Sequence, residues 1–352
     1  MKPILPMPRG PLSELLVAAL TTRPRTCAEA EIVAHGHLVD EDLQIALHIC
    51  YGLHYDGFAG VDDEWEWDPG LLAVRALLER AFLRGVIGVE PLRPPLSHRE
   101  LITCFEELLD AGGGRSLSSH LLEGGSFDQL REFVMHRSVY QRKEADPHTW
   151  VIPRLRGPAK SAGVRLQSDE YGNGVPGRTH AELFATTMRE FGLDATPGAY
   201  VDHVPAATLA TDNLVSLFGL HRRWRGALVG HLAAFEMTSV TPMARYAKAI
   251  RRHLPAGPAA EFYECHVVAD TVHERIAADD LLRGLVDTDP EATRDVCTGA
   301  AALMTVERRF ADHLLTSWDE GRSSLRTLPA GRLRAVGRPS PLASPSRVRI
   351  VA

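Results

Sequence analysis

The feature that most constrains the fold is the helical spacing of apolar residues, which recurs in nearly every patterned segment. Gly192 follows one such segment, and Pro255 and Gly257 follow another, as is typical where helices end. Alternating β-branched runs joined by hairpin turns are almost absent from the sequence. The pattern therefore predicts an all-α fold with helices over 11–20, 40–52, 70–86, 98–110, 127–142, 158–171, 179–191, 205–219, 222–237, 241–253, 257–282 and 289–316.

Composition narrows the class of protein. The chain has 352 residues, 45% of them hydrophobic, which is enough for a sizeable core. Its apolar runs fall well short of the ~18 residues that a membrane span needs, and no long apolar segment of a signal peptide opens it. The net charge of −6 gives no general reason to expect nucleic acid or an anionic membrane as partner. We therefore expect a cytoplasmic protein with neither partner.

The sequence also suggests how the chain is organised. Trp65 and Trp67 lie in a loop rich in Gly and Asp, and we expect both to pack into the helical body. From Gly321 onward the chain has seven arginines, no acidic residue and many Pro and Ser, a composition typical of disorder. We predict an N-terminal helical region packed on a core, followed by a disordered basic tail: 1–95, 96–318 and 319–352.

The cysteines and the N-terminal histidines do not have the sequence spacing typical of metal ligands. The cysteines are odd in number, scattered and without a CxxC pair, so neither a disulfide framework nor a thiolate zinc site is expected. The N-terminal histidines also share no spacing, and we expect them to be helix-surface or packing residues. These sets are Cys27, Cys50, Cys104, Cys265 and Cys297, and His35, His37, His48 and His54.

The stretch ECHVVADTVHERI, residues 264–276, places three potential ligands on one face of a helix. At about 100° per residue, His266, Asp270 and His273 fall within an arc of roughly 60°. A solvated polar face is the simplest explanation, but the flanking residues are mostly apolar. Three buried ionisable groups need compensation. On this helix alone, a metal site and a buried polar network are about equally supported.

Three further segments place acidic residues in helical contexts. Glu236 lies in the apolar stretch GALVGHLAAFEMTSV, and Glu170 and His180 flank a glycine-rich turn. Glu144 precedes Pro147, at the end of a predicted helix. Taken alone, each segment has a structural explanation. Glu236 could be a hydrogen-bonded buried acid, and Glu144 could be a surface acid. Glu170 and His180 could be a surface acid and a first-turn histidine.

Two histidines lie near these carboxylates. His148 follows Glu144 by four residues and competes with it for the same role. His231 lies about 140° around the helix from Glu236, so we do not expect it to join the same cluster.

With these residues identified, the chain resembles the haem-oxygenase-like diiron oxidases, a group that includes the iron-containing redox enzymes. The stretches DEYGNG with HAELF, FEMTS, and HVVADTVHE carry the resemblance, which covers roughly residues 100–285. It implies the seven-helix bundle of haem oxygenase, here with an additional N-terminal helical region. It also implies a ligand set for two iron ions: Glu144, Glu170, His180, Glu236, His266, Asp270 and His273.

The resemblance also implies a chemistry. Glu144 lies where members of this group that oxygenate nitrogen have a further carboxylate, and members that cleave or desaturate carbon chains do not. The expected activity is O2-dependent N-oxygenation of a small nitrogen-containing substrate (an amine, guanidine or amino-heterocycle), to the hydroxylamine and on to nitroso or nitro. An external reductant or reductase would supply electrons. We expect a homodimer.

Other functions stay open at this point. The same two-iron centre could cleave, decarboxylate or desaturate an amino or fatty acid, and the product would distinguish the two. A ferritin-like iron store would assemble into a shell, which the basic tail fits poorly. A haem-binding protein has no need of so many carboxylates near one histidine cluster. A structural helical protein with a buried polar network is the remaining alternative.

Overall fold

The computed structural model describes residues 2–24, 40–87, 95–110 and 114–329. Every regular element in these ranges is helical, which confirms the all-α fold. The α-helices are α1 Pro11–Leu20, α2 Glu41–Gly52, α3 Pro69–Val86, α4 His98–Asp110, α5 Leu117–Glu123, α6 Phe127–Gln141, α7 Asp146–Thr149, α8 Gly157–Glu170, α9 His180–Glu190, α10 Ala206–Leu220, α11 Arg225–Thr238, α12 Val240–His253, α13 Glu261–Arg275, α14 Arg283–Thr288 and α15 Val296–Asp319. A π-helical segment, Ile276–Leu282, joins α13 to α14, and short 3-10 helices cover Asp63–Trp67, Ile152–Arg154, Gly172–Gly174, Val201–His203, Arg222–Trp224 and Pro290–Asp295.

Helix α10 forms the centre of the bundle. Its residues 206–219 are all buried, as expected of a helix that is apolar on most of its circumference. It packs against α2, α6, α7, α11 and α15. Within the described ranges, every helix is too short or too polar to cross a lipid bilayer.

Helices α11 and α15 touch through their backbones. A Cβ atom added at Gly230 would lie 1.9 Å from the Val296 carbonyl oxygen, and one added at Gly299 would lie 2.0 Å from the Ala227 carbonyl oxygen. No side chain fits at such distances, so only glycine permits this approach. The contact fixes the position of α11 in the bundle.

Helices α11 and α12 meet at Ser239. Pro242 has no N–H to donate to the Thr238 carbonyl, so the helical hydrogen-bond series is interrupted there. The two predicted segments 222–237 and 241–253 agree with a break at this place. It leaves Glu236 in the last turn of α11 and frees the Ser239 hydroxyl, which donates to Asp270 Oδ2 at 2.5 Å.

The N-terminal region packs on the core through α2 and α10. The Ala206 amide donates to Glu41 Oε1 at 2.8 Å. Trp65 is buried and its indole donates to the Thr22 carbonyl at 2.8 Å, but Trp67 is 65% exposed. The prediction that both tryptophans pack inside is therefore wrong for Trp67. Residues two apart in a 3-10 helix point in different directions, so only one of them faces the core.

The predicted disordered tail is wrong at its start. Ser324 is buried, and its amide and hydroxyl donate to Glu132 Oε2 at 2.8 and 2.6 Å. The Arg326 amide donates to the His203 carbonyl at 2.8 Å. Residues 321–329 therefore pack on the body, because partners distant in sequence satisfy their polar groups. Residues 330–352 lie outside the described ranges.

The structure also pairs two cysteines, although their number and spacing suggested no disulfide framework. Cys104 of α4 and Cys297 of α15 form a disulfide, with Cα atoms 6.4 Å apart. They are 193 residues apart in sequence, so no local spacing indicates the pair. Cys50 and Cys265 are free, and Cys27 lies outside the described residues.

Candidate metal centre

The seven predicted ligand residues are buried and lie together between the helices. Helix α13 turns His266, Asp270 and His273 towards the interior, as their spacing predicts. Its opposite face is open, however, since Val268 and Val272 are 74% and 49% exposed. The other four residues come from the end of α11, the end of α8, the start of α9 and the turn between α6 and α7.

The potential ligand atoms form two groups, and Glu170 belongs to both. Within each group, one potential ligand atom from every residue lies within 4.8 Å of the others. The Asp270 carboxylate lies beside the second group, 3.6 Å from His273 Nδ1. The first group is Glu144, Glu170, His180 and His266, and the second is Glu170, Glu236 and His273.

In the first group, each histidine directs one ring nitrogen at the carboxylates. His180 Nδ1 lies 2.6 Å from Glu170 Oε2 and 3.3 Å from Glu144 Oε1. His266 Nε2 lies 3.4 Å from Glu144 Oε1, while its Nδ1 contacts the Phe262 carbonyl at 2.8 Å. That carbonyl accepts a hydrogen bond from Nδ1–H, so Nε2 is the nitrogen that a metal ion in the group would contact.

In the second group, His273 has the same division of roles. Its Nδ1 lies 3.2 Å from Glu236 Oε2, and its Nε2 lies 3.0 Å from Asp169 Oδ2. A metal-ligating histidine commonly donates its other N–H to a carboxylate, and Asp169 provides that carboxylate here. The arrangement leaves Nδ1 as the nitrogen available to a metal ion.

Sequence reasoning missed Asp169, and also Cys265, whose Sγ lies 3.8 Å from His180 Nε2. Both act across a turn or between helices, so neither has a spacing signal. Asp169 Oδ1 accepts a further hydrogen bond from Asn173 Nδ2 at 2.9 Å. Asn173 has φ of 52°, a left-handed conformation that asparagine adopts more readily than most residues. The GNG turn therefore helps to fix Asp169 against His273.

Local sequence explains where His180 lies. Thr179 and Glu182 form a capping box at the start of α9, in which each side chain binds the backbone N–H of the other. Gly172 permits the preceding turn, since a Cβ there would lie 2.5 Å from the Arg178 carbonyl carbon. The cap and turn together place His180 opposite Glu170.

Neighbouring carboxylates and histidines in the two groups shift each other's pKa. Burial opposes ionisation of Glu144, but His180 and His266 outweigh it and lower the pKa of its carboxyl to about 2. Burial likewise disfavours the charged imidazoles, but neighbouring carboxylates raise the pKa of His266 to about 9 and that of His273 to about 11. For Glu236, burial prevails over His273 and raises the pKa to about 7.

Two buried atoms in the first group show how the residues fit a metal ion. Glu144 Oε1 and His180 Nδ1 make these close ion-pair contacts, but none of the contacts has the geometry of a hydrogen bond. Buried polar atoms are usually hydrogen-bonded, and a cation between these two atoms would contact both. Carboxylate oxygens with imidazole nitrogens are a donor set suited to iron, manganese or zinc. The residues present therefore fit a metal ion.

His148 does not take the place of Glu144. Its Nε2 lies 3.0 Å from His231 Nδ1, and both rings are buried. Burial lowers the pKa of His148 to about 4, so the ring is neutral at physiological pH. His231 stays outside the cluster, in agreement with its angle around α11.

The N-terminal histidines that the structure describes have other partners. His48 Nδ1 lies 3.1 Å from Asp212 Oδ2, and His54 Nδ1 lies 3.1 Å from Glu66 Oε1. Neither histidine belongs to a group of three close ligand atoms in the described part of the chain. His35 and His37 lie outside the described residues.

Comparison with known proteins gives one curated relative and several solved structures. The chain is 24% identical over 190 residues to nitrosourea synthase of Streptomyces achromogenes subsp. streptozoticus, which covers 53% of this chain and 40% of that protein. The chain thus spans less than half the length of this relative.

Two crystal structures are also similar. One is a domain of unknown function with a heme oxygenase-like fold from Shewanella denitrificans OS217 (15% identity, TM-score 0.46, 65% of this chain and 96% of that chain). The other is a CADD-like protein of unknown function from Nostoc punctiforme PCC 73102 (18% identity, TM-score 0.49, 62% of this chain and 97% of that chain).

The family model described as iron-containing redox enzyme matches residues 131–308, just over half of the chain. This segment includes every residue of both ligand groups and Asp270. The chain belongs to the iron-containing redox enzyme family.

Proposed function

We propose that this protein is a non-haem iron oxygenase with two metal positions, which uses O2 to N-oxygenate an amine, guanidine or amino-heterocycle. Glu170 supports two positions, because its carboxylate belongs to both ligand groups and carboxylates can bridge two ions. The similarity to nitrosourea synthase supports nitrogen as the oxidised element, since a nitrosourea contains an oxygenated nitrogen.

Glu144 is the observation that carries the choice of nitrogen over carbon. The family resemblance associates a carboxylate at this place with the N-oxygenating members. Glu144 is 7% exposed, and its Oε1 lies within 3.4 Å of ring nitrogens of both His180 and His266. A surface position for Glu144, which its charged neighbours suggest, would have removed this support.

The protein residues hold and orient the metal ions. Glu144, Glu170, His180 and His266 would bind one ion, and Glu170, Glu236, Asp270 and His273 would bind the other. The ionised carboxylates of Glu144, Glu170, Glu236 and Asp270 would balance the four positive charges of two divalent cations. When bound, iron would supply the activation of O2 and the transfer of oxygen to nitrogen.

Surrounding groups keep these ligands in place. Ser239 holds Asp270, Asp169 holds His273, and the Phe262 carbonyl holds His266. A cavity of about 60 Å³ adjoins the ligands and is lined in part by Tyr140 and Phe235. Transfer of one oxygen atom from O2 consumes reducing equivalents, so the proposal includes an external electron donor.

The test is an anaerobic Fe(II) titration of the apoprotein, followed by rapid mixing with O2 and mass spectrometry of amine and guanidine substrates. We expect about two iron ions per chain and products that gain oxygen on nitrogen. No iron binding, or iron binding without O2-dependent turnover of a nitrogen substrate, would contradict the proposal. Turnover of an amino or fatty acid at carbon would instead support the oxidative C–C cleavage, decarboxylation or desaturation alternative.

A further inference from the structure

The cavity of about 60 Å³ at the candidate metal centre is lined by most of the proposed ligand residues. Every residue of its lining is buried except Phe235, Ser239 and Met243, which are partly exposed. These three lie together where α11 ends and α12 begins. The cavity therefore opens to the outside at the α11–α12 junction.

Sequence spacing explains why these residues lie on one side of the junction. Phe235, Ser239 and Met243 are four residues apart, and Ser239 keeps helical backbone angles (φ −83°, ψ −33°) between the two helices. Residues four apart on a helix point the same way. The Ser239 hydroxyl donates to Asp270, so Phe235 and Met243 are left as the two apolar side chains at the opening.

The two apolar side chains at the opening differ in how firmly they are held. The Phe235 ring contacts two other rings, with centroid distances of 5.8 Å to Tyr140 and 5.0 Å to His231. The Tyr140 hydroxyl donates to the Glu144 carbonyl at 3.3 Å, so Tyr140 is itself held in place. Met243 packs against the core with an unbranched side chain, which adapts to its neighbours. We therefore expect Phe235 to be the rigid side of the opening and Met243 to set its width.

The volume of the cavity limits what it can enclose. At roughly 10–15 Å³ for each water-sized group, about 60 Å³ holds about five such groups. Sites that enclose a whole small molecule measure roughly 300–1,000 Å³. Only the nitrogen group of a substrate would therefore fit inside, and the next part of the molecule would lie between Phe235 and Met243.

Two other spaces approach the ligand residues from different sides. A groove along α13 has His180 and Asp169 in its lining, and a cavity of about 670 Å³ lies beyond the turn at Glu144. Within the described part of the chain, neither space shares a lining residue with the cavity at the ligands. The opening at the α11–α12 junction is therefore the direct route to the ligand carboxylates that the structure provides.

We propose that substrates reach the ligands through the opening between Phe235 and Met243, and that Met243 selects them by the width of the part that follows the nitrogen group. The inference rests on the proposed function for the identity of the bound molecule as a nitrogen substrate. The nitrogen group would enter the cavity, and Phe235 and Met243 would contact the carbon atoms next to it. Met243 is thus a specificity-determining residue and not a ligand.

Thiol labelling of the metal-free full-length protein tests the opening without iron chemistry. Ala145→Cys introduces a thiol into the cavity lining, at a small buried residue. Methyl methanethiosulfonate and its wider benzyl counterpart both convert a thiol to a mixed disulfide, and each rate is divided by the rate of the same reagent with glutathione. We expect the benzyl reagent to modify the introduced thiol at least about tenfold more slowly, because it must displace side chains at the opening.

Changes at Met243 should alter this difference. Met243→Ala, added to Ala145→Cys, should widen the opening and remove most of the difference, whereas Met243→Trp should slow both reagents. Met304→Ala is the matched control, since Met304 is a partly exposed methionine of α15 outside the cavity lining, and it should leave both rates unchanged. Peptide mass spectrometry separates the introduced thiol from Cys265, which lines the groove along α13 and should react equally in every variant.

The inference is overturned if both reagents modify the introduced thiol equally fast, if neither reagent modifies it, or if Met243→Ala behaves like Met304→Ala. Leu232→Cys provides a second thiol position in the same lining, for use if circular dichroism shows that Ala145→Cys prevents folding. The same outcomes apply to that variant.

The outcome is separable from that of the proposed function. Width-dependent labelling that changes in Met243→Ala, combined with no N-oxygenation by the iron-loaded enzyme, would leave the opening assigned and remove the activity. N-oxygenation combined with labelling that Met243→Ala does not change would do the reverse. For an enzyme that oxygenates n-butylamine, a rise in kcat/KM for tert-butylamine relative to n-butylamine in Met243→Ala would support both.

Discussion

The two ligand groups differ in how they are held. Every residue of the first group is under 10% exposed, and its histidines are oriented by groups inside the bundle. The second group has equally buried ligands, but Asp169, which orients His273, has a side chain 38% exposed. His273 also lies just before the π-helical segment. We infer that the interior fixes the ligands of the first proposed metal position, whereas those of the second depend on a hydrogen bond that water can reach.

The largest effect should come from the residue common to both groups. Glu170→Ala removes a ligand from each position, so we expect loss of tight metal binding at both. Elemental analysis after Fe(II) loading measures this, with circular dichroism as a check on folding. Glu106→Ala, at an exposed position of α4, should retain full metal content. Unchanged metal content in Glu170→Ala would refute the shared role.

Replacing one histidine from each group would separate the two positions. His266→Ala should abolish the tighter binding step in an anaerobic metal titration, because it removes a ligand of the first position. His273→Ala should leave that step and abolish the weaker one, reducing the stoichiometry to about one ion per chain. Loss of the same step in both variants would show that the groups form a single site.

Removing the charge of Asp169, the exposed partner that orients His273, should have a smaller effect on metal affinity. Asp169→Asn keeps a hydrogen-bond acceptor but removes the charge that favours the imidazole N–H, so affinity at the second position should fall by roughly 10–100-fold. The first step should not change. Co(II) absorption during titration reports each position without turnover. Asp279→Asn, an exposed change outside the cluster, is the control, and equal affinities in both variants would contradict the positioning role.

The smallest effect concerns a buried histidine with no carboxylate beside it. Burial lowers the pKa of His136 well below its usual value, in contrast to the raised values in both ligand groups. Below about pH 6.5 the unfolded chain binds a proton at this residue that the native state does not, so stability falls as pH falls.

His136→Asn should remove this contribution and reduce the acid-induced loss by at most ~1.4 kcal/mol per pH unit. Urea denaturation at pH 7, 6 and 5 measures it. The contrast with the ligand histidines would be contradicted if the wild type and the variant lost stability equally between pH 7 and pH 5.

Helices were predictable where their apolar pattern was long. The predicted segment 11–20 coincides with α1, and the separate predicted segments 222–237 and 241–253 correspond to α11 and α12 on either side of Ser239. Helix α5 was missed, because seven residues are too few for a period to be apparent. The π-helical segment was merged into one predicted helix, since a change in hydrogen-bond register leaves no clear mark on the apolar pattern.

The candidate site likewise contains residues that could be predicted from their spacing and residues that could not. Spacing on α13 indicated that His266, Asp270 and His273 share a face, and the structure confirms this. The convergence of the remaining residues was implied by family resemblance, because their spacing alone left surface positions open. Asp169 and Cys265 were not predictable, since their contacts depend on how a turn and two helices pack.

The backbone contact between α11 and α15 has a consequence for how the protein can vary. Gly230 is six residues before Glu236, about 9 Å along the helix axis. A single methyl group there would collide with the Val296 carbonyl and push the whole of α11, with its carboxylate, away from its partners. Gly230 contacts none of the ligand residues, yet we expect its replacement to be tolerated as poorly as the replacement of a ligand.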